Sequence, residues 1–144
     1  MTPDINVLVA ASRSDHPQHT IARDWLEAAV GACESGGSIE VLPAVAAGFL
    51  RLVTNSRVFP DPSPIKEALA FMDALLAVPG VEMPDSAREW PTLRRLCLDG
   101  KLAGNAIPDA WIAAAVKVMN GRLVTFDRDF TRLLGKGELM LLQS

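Results

Sequence analysis

The stretch PDAWIAAAVKVMNGRLVTFD, which runs from Pro108 to Asp127, determines the fold class of this chain. Residues 108–119 are almost all apolar, which predicts a buried helix that ends at Asn120-Gly121. The apolar residues 123–126 that follow predict a buried strand. A buried helix that leads directly into a buried strand is typical of α/β proteins with a parallel sheet.

The same alternation of helix and strand extends through the rest of the chain. Further strands are predicted at residues 38–42, 81–83 and 139–142. Further helices are predicted at residues 7–11, after Asp15, from Pro43, at residues 65–77, from a cap at Ser86 to Asp99, and near residues 130–134. Because no repeat or linker interrupts this pattern, we predict one domain over residues 1–144. Its fold class is α/β, with a mostly parallel sheet flanked by helices in three layers, α/β/α.

Composition indicates an ordinary globular protein. The chain has 144 residues, of which 49% are hydrophobic and 22% are charged, enough to bury one core. Its net charge of −3 gives no overall attraction to nucleic acid, although a local basic strip or a bound metal can still hold a phosphate. Cys33 and Cys97 are too few for a disulfide framework, which suits a reducing compartment. Since we find no signal peptide and no apolar run near the ~20 residues of a membrane span, we expect a cytoplasmic protein without membrane contact.

Three aspartates occupy places from which their carboxylates can reach a common crevice. Asp4 follows the first strand, Asp109 lies in the first turn of the apolar helix, and Asp127 follows the next strand. The carboxyl ends of parallel strands and the amino ends of helices meet at one edge of such a sheet. Converging carboxylates repel each other, and a hard divalent cation relieves that repulsion. We therefore predict that these three residues are catalytic and bind the metal of a phosphodiester hydrolase.

Each aspartate also has a purely structural interpretation. Asp109 can stabilise its helix dipole by about 0.3–1 kcal/mol. Asp127 can be a turn residue, and Asp4 can cap the helix that follows it. The coincidence of all three on one α/β pattern favours the catalytic interpretation.

Four segments resemble the motifs of PIN-domain ribonucleases. Asp4-Ile5-Asn6-Val7-Leu8 resembles their opening signature, usually Asp-Thr-Asn-Val-Leu. Residues 104–114 are similar to the third acidic motif, and residues 125–130, TFDRDF, match the fourth, normally Thr-x-Asp-x-x-Phe. Residues 49–59 resemble the segment after the second acidic motif in the VapC-type toxins of bacterial toxin–antitoxin pairs. The likeness spans nearly the whole chain in the correct order.

This resemblance implies a PIN-like fold and a divalent-metal-dependent endoribonuclease, the toxin of a toxin–antitoxin pair. It implies that Asp4, Asp109 and Asp127 bind Mg²⁺ or Mn²⁺. It also implies an RNA substrate, a cognate antitoxin that covers the site, and a homodimer.

Five further residues are predicted to support the site. Asn6, Thr125 and Asp129 would hold the carboxylates in place around the metal. Arg128 and Arg51 are predicted to contact the RNA backbone, although an exposed arginine is more often simply solvated.

The chain departs from the family pattern at the second acidic position. Relatives usually read Ala-Glu-Phe-Leu, and residues 47–50 here read AGFL, so Gly48 stands where the family has Glu. Two alternatives follow: three carboxylates suffice for catalysis, or the chain is a catalytically weakened PIN-like module that binds RNA or protein.

A receiver or phosphatase that forms an aspartyl phosphate is a third class of function. It needs a lysine near the acidic pocket, and after Asp109 the chain has only Lys117 and Lys136.

Overall fold

Helices and strands alternate along the chain as the sequence pattern predicts. The computed structural model describes residues 1–85 and 88–143. The strands are β1 Thr2–Pro3, β2 Ile39–Glu40, β3 Val81–Glu82, β4 Leu123–Thr125 and β5 Leu139–Leu141. The α-helices are α1 Ile5–Ser12, α2 His19–Ala32, α3 Pro43–Val53, α4 Ile65–Leu76, α5 Trp90–Asp99 and α6 Ala106–Val118. Short 3₁₀ helices lie at Cys33–Ser35, Arg128–Arg132 and Lys136–Glu138.

Every strand pair in the described chain is parallel, which confirms the predicted sheet. β4 lies between β1 and β5, and β2 pairs with β3. A main-chain hydrogen bond of 3.0 Å from the Glu40 N–H to the Met1 carbonyl joins β2 to β1. This bond places the two-stranded ladder β3-β2 beside the three-stranded ladder β1-β4-β5. Because β1 and β4 are parallel neighbours, the residues that follow them leave the sheet at the same edge.

Helices cover both faces of the sheet, as the three-layer prediction requires. The adjacent β4 residues Leu123 and Val124 are fully buried and belong to different cores, because successive strand residues point to opposite faces. Leu123 packs in the larger core with residues of α3, α4 and α6, including Phe49. Val124 packs in the smaller core with Val7 of α1 and Ala22 of α2.

Local chemistry sets the helix ends near the acidic residues. α1 begins at Ile5 because the Asp4 carboxylate accepts the Ile5 N–H at 2.8 Å, which is an N-cap hydrogen bond. α6 begins two residues before the predicted start at Pro108, and Asn120 just beyond its end has a φ of 51°. The predicted cap at Ser86 lies outside the described residues. Within residues 1–85 and 88–143, no helix combines the length and the apolar character that a membrane span requires.

Candidate active site

Asp4 is a buried carboxylate at the junction of β1 and α1. Only 6% of its surface is exposed. Its Oδ1 accepts the Ile5 N–H, and its Oδ2 accepts the hydroxyl of Thr125 at 2.6 Å. Burial raises the pKa of Asp4 to about 6; the two hydrogen bonds oppose this rise, and the negative charges of Asp109 and Asp127 add to it. The charged form of Asp4 is therefore disfavoured, chiefly by its burial and further by the neighbouring carboxylates.

The Thr125 hydroxyl connects Asp4 to the other side chains at this edge. Thr125 ends β4 and is fully buried. Its hydroxyl donates to Asp4 and accepts both the Asn6 side-chain amide at 3.2 Å and the Asp127 N–H at 3.0 Å. The Asn6 Oδ1 in turn accepts the Phe126 N–H at 3.4 Å. One hydroxyl thus fixes the orientation of a carboxylate and the path of the chain towards Asp127.

Asp109 and Asp127 reach the same edge from α6 and β4, and both are half-buried. The Asp127 Oδ1 accepts the Asp129 N–H at 2.9 Å and so caps the 3₁₀ helix at Arg128–Arg132, two residues earlier than the predicted helix there. Burial raises the pKa of Asp109, and the charges of Asp127 and Asp129 add to the rise. The carboxylates singled out in the sequence therefore interact electrostatically with one another.

These carboxylates do not form a ready-made cage. Among residues 1–85 and 88–143, no three Asp, Glu, His or Cys side chains converge closely enough to hold one ion as they stand. Mutual repulsion keeps carboxylates apart when no cation is between them. The donors are all oxygens, which Mg²⁺ and Mn²⁺ prefer, and Asp109 and Asp127 are exposed enough to change rotamer. The residues thus fit a hard divalent cation in chemistry and charge, provided that Asp109 and Asp127 turn inward.

An apolar side chain fills the second acidic position of the family motif. Gly48 is buried on α3, and a Cβ added to it would lie 2.5 Å from the Cδ1 and 3.0 Å from the Cγ1 of Ile5. Ile5 stands where the family signature usually has Thr. The Ile5 side chain on α1 therefore lies in the space beside Gly48 where a side chain on α3 would begin. Sequence reasoning missed this pairing, although two departures within the acidic motifs were an available signal.

The two predicted RNA-contacting arginines are both exposed. Arg51 lies in the last turn of α3, and Arg128 begins the 3₁₀ helix beside Asp127. Neither belongs to any of the ion pairs of the described chain. Both guanidinium groups are available to a ligand, and their contact with RNA stays a prediction.

Comparison with known proteins gives consistent matches along the chain. The model of the PIN domain family matches residues 1–136. Ribonuclease VapC31 of Mycobacterium tuberculosis is 41% identical over 131 residues, which cover 90% of this chain and 89% of that protein. Ribonuclease VapC25 of the same organism is 40% identical, with the same coverage of both chains. The crystal structure of VapBC2 from Rickettsia felis bound to a promoter DNA fragment has a TM-score of 0.67 and 21% identity, and the match covers 99% of this chain and 98% of that chain. At this identity the structural match shows a shared fold.

Proposed function

The chain belongs to the PIN domain family, and we propose that it is an endoribonuclease that acts as the toxin of a toxin–antitoxin pair. The observation that carries this proposal is the identity of 40–41% to proteins named VapC ribonucleases over 90% of the chain. The resemblance of the acidic motifs points in the same direction.

We further propose that Asp4, Asp109 and Asp127 bind Mg²⁺ or Mn²⁺. When bound, such a cation would offset the negative charge of a phosphate and lower the pKa of a water molecule, so that the more nucleophilic hydroxide is available near neutral pH. The mutual repulsion of the three carboxylates supports this proposal, because it adds to the rise that burial causes in the pKa of Asp4 and of Asp109, and a cation would relieve it.

The neighbours of these carboxylates have positioning roles in this proposal. Thr125 and Asn6 keep the Asp4 carboxylate in one orientation through the hydrogen bonds described above. Asp129 lies beside the Asp127 carboxylate, which accepts its N–H in the structure and would turn from that bond towards a cation. Arg128 and Arg51 attract the RNA backbone, which a chain with a net charge of −3 needs at a local site.

The partners and the location belong to the same proposal. The family resemblance supports an RNA substrate, a cognate antitoxin that covers the acidic edge, a homodimer and a cytoplasmic location.

A second candidate function follows from the contact between Ile5 and Gly48. If a carboxylate at position 48 is indispensable, the chain is a catalytically weakened module that binds RNA or protein. The side chain of Ile5 fills the space beside Gly48, so this alternative does not require a less stable fold.

Cleavage of a single-stranded RNA pool distinguishes the two functions. We expect wild type to cleave with Mg²⁺ or Mn²⁺ and not with EDTA. Asp109→Asn should lower the rate by about a hundredfold or more, because the amide keeps the shape but loses the charge that a cation needs. Asp73→Asn is the matched control, since Asp73 is exposed on α4.

The possible outcomes separate the interpretations. An Asp109→Asn variant that cleaves as fast as wild type would show that Asp109 only stabilises its helix end. A wild type that binds RNA but does not cleave it with either metal would favour the module.

A further inference from the structure

A groove of about 210 Å³ opens beside the acidic edge, between the start of α6 and the 3₁₀ helix at Arg128–Arg132. Leu102 and Leu133, both half-buried, give it an apolar lining. Asn105 and Arg132, both exposed, stand at its rim. The volume is below the range of about 300–1,000 Å³ that is typical of pockets for drug-sized ligands, so the groove suits one small group.

The polar side chains at this rim are not used by the fold. Asn105 is the N-cap residue of α6, a position where asparagine usually bonds a main-chain N–H of the first turn. It makes no such side-chain bond here, so its amide keeps both a donor and an acceptor for a ligand. Arg132 belongs to none of the ion pairs of the described residues. By contrast, the buried Arg13 elsewhere in the chain is fully engaged with Asp15, Ser63 and the Asp61 carbonyl.

The charges around the groove restrict what can occupy it. Asp109 and Asp129 line the side next to the acidic site, so a phosphate within the groove would be repelled. A lysine or arginine from a protein partner would be attracted by these two carboxylates and repelled by Arg132, so a cationic side chain is the competing occupant that the test must exclude. A neutral planar group with an apolar face and a hydrogen-bonding edge meets no repulsion and matches the two leucines and the amide of Asn105.

An unstacked nucleobase has these properties. Proteins that recognise single-stranded RNA pack the base face against side chains and bind its edge with amides, while arginine stacks on the base or contacts the backbone. We propose that this groove holds the nucleobase next to the scissile phosphate of single-stranded RNA, with Asn105 bound to the base edge and Leu102 and Leu133 against its face. Arg132 contacts the adjoining phosphate outside the groove. This inference rests on the proposed ribonuclease function, because the phosphate at Asp109 sets which base enters.

The experiment uses the full chain and a single-stranded RNA with a randomised segment. Cleavage junctions produced with Mn²⁺ are sequenced for wild type, Asn105→Ala, Arg132→Gln and the control Arg57→Gln, which changes an exposed arginine that does not line the groove. We expect wild type to prefer one base beside the cut and Asn105→Ala to reduce this preference about tenfold. Arg132→Gln should raise KM and leave the base preference intact, and Arg57→Gln should change neither.

Binding in EDTA separates a failure of this inference from a failure of the proposed function. In a set of RNA oligomers that each lack one base, wild type should bind one oligomer more weakly than the others. Asn105→Ala should bind all of them equally. If wild type binds RNA without cleaving it, the proposed ribonuclease function is wrong. The abasic scan then tests by itself whether the groove binds a base.

Two results would overturn the inference. The first is an Asn105→Ala variant whose junction profile and abasic scan match those of wild type. The second is a pair of groove variants that weaken binding of an arginine-rich peptide and leave RNA binding unchanged, since the groove then serves a protein partner.

Discussion

Replacement of Gly48 by alanine should not give the stabilisation that this change usually gives in a helix. Alanine is favoured over glycine in a helix interior by about 1 kcal/mol. At position 48 its Cβ would lie 2.5 Å from the Cδ1 of Ile5, closer than two carbon atoms can pack. Overpacking of a core typically destabilises by about 1–3 kcal/mol. The net change in the free energy of unfolding should therefore be a loss of ~0–2 kcal/mol, because the end of the Ile5 side chain can move aside in part.

Shortening Ile5 should remove this penalty. Ile5→Thr deletes the Cδ1 that the new Cβ would meet, and by itself it should lower stability by about 1–2 kcal/mol through lost apolar contact. In the Ile5→Thr background, Gly48→Ala should then be neutral or stabilising. The two changes should thus show a coupling energy of about 1–2 kcal/mol, as expected for residues in contact.

Urea denaturation of the four proteins in EDTA measures this coupling without any contribution from metal. Gly31→Ala is the matched control, because Gly31 is also a helical glycine and a Cβ there meets nothing within 4 Å. The control should gain up to about 1 kcal/mol, whichever residue is at position 5. If Gly48→Ala stabilises the wild-type background as much as Gly31→Ala does, the contact is not tight and the argument is refuted.

Three further predictions concern the acidic edge. The folded-state pKa of Asp4 is raised from 3.8 to about 6, so its contribution to stability in EDTA is present below pH 3.8 and is lost as pH rises through about 6. Urea denaturation between pH 4 and about 7 should therefore show wild type losing roughly 2 kcal/mol relative to Asp4→Asn, and parallel curves for the two would contradict it. Mn²⁺ at a hundredfold excess over its Kd should stabilise wild type by about 2.7 kcal/mol at neutral pH, seen as a higher Tm, and equal shifts in Asp127→Asn would place the metal elsewhere. Thr125→Val removes the hydroxyl that binds Asp4 and should lower Mn²⁺ affinity about 10–100-fold in a calorimetric titration, whereas Thr125→Ser, which keeps the hydroxyl, should not.

The parts of the fold that follow from local sequence could be predicted. Apolar periodicity identified the helices, and the apolar run before Asp127 identified β4, because burial of one element leaves its pattern in adjacent residues. The capping role of Asp4 was among the alternatives for the same reason, since an N-cap is decided within one turn. The parallel sheet followed from the order of the elements.

The features that sequence reasoning missed depend on contacts between distant segments. Ile5 and Gly48 lie on different helices, and nothing in either local pattern shows that their side chains share one space. The groove is formed by Asn105 before α6 and by Arg132 after β4, so only the packing of the two segments creates it. The high pKa of Asp4 likewise depends on its burial beneath neighbouring elements rather than on its place in a motif.

The contact between Ile5 and Gly48 also changes how the missing acid should be interpreted. Loss of a carboxylate from a site commonly leaves a cavity that lowers stability in proportion to its volume. Here an isoleucine from the adjacent helix occupies that volume, so the wall beside Asp4 is packed and apolar. Any weakening of the site should therefore appear as lower affinity for a divalent cation and not as lower stability of the metal-free protein. Because Gly48→Glu alone would place its side chain against Ile5, a gain of metal affinity from a fourth carboxylate should require Ile5→Thr in the same protein. Failure of the single variant to gain affinity would consequently say nothing against catalysis by three carboxylates.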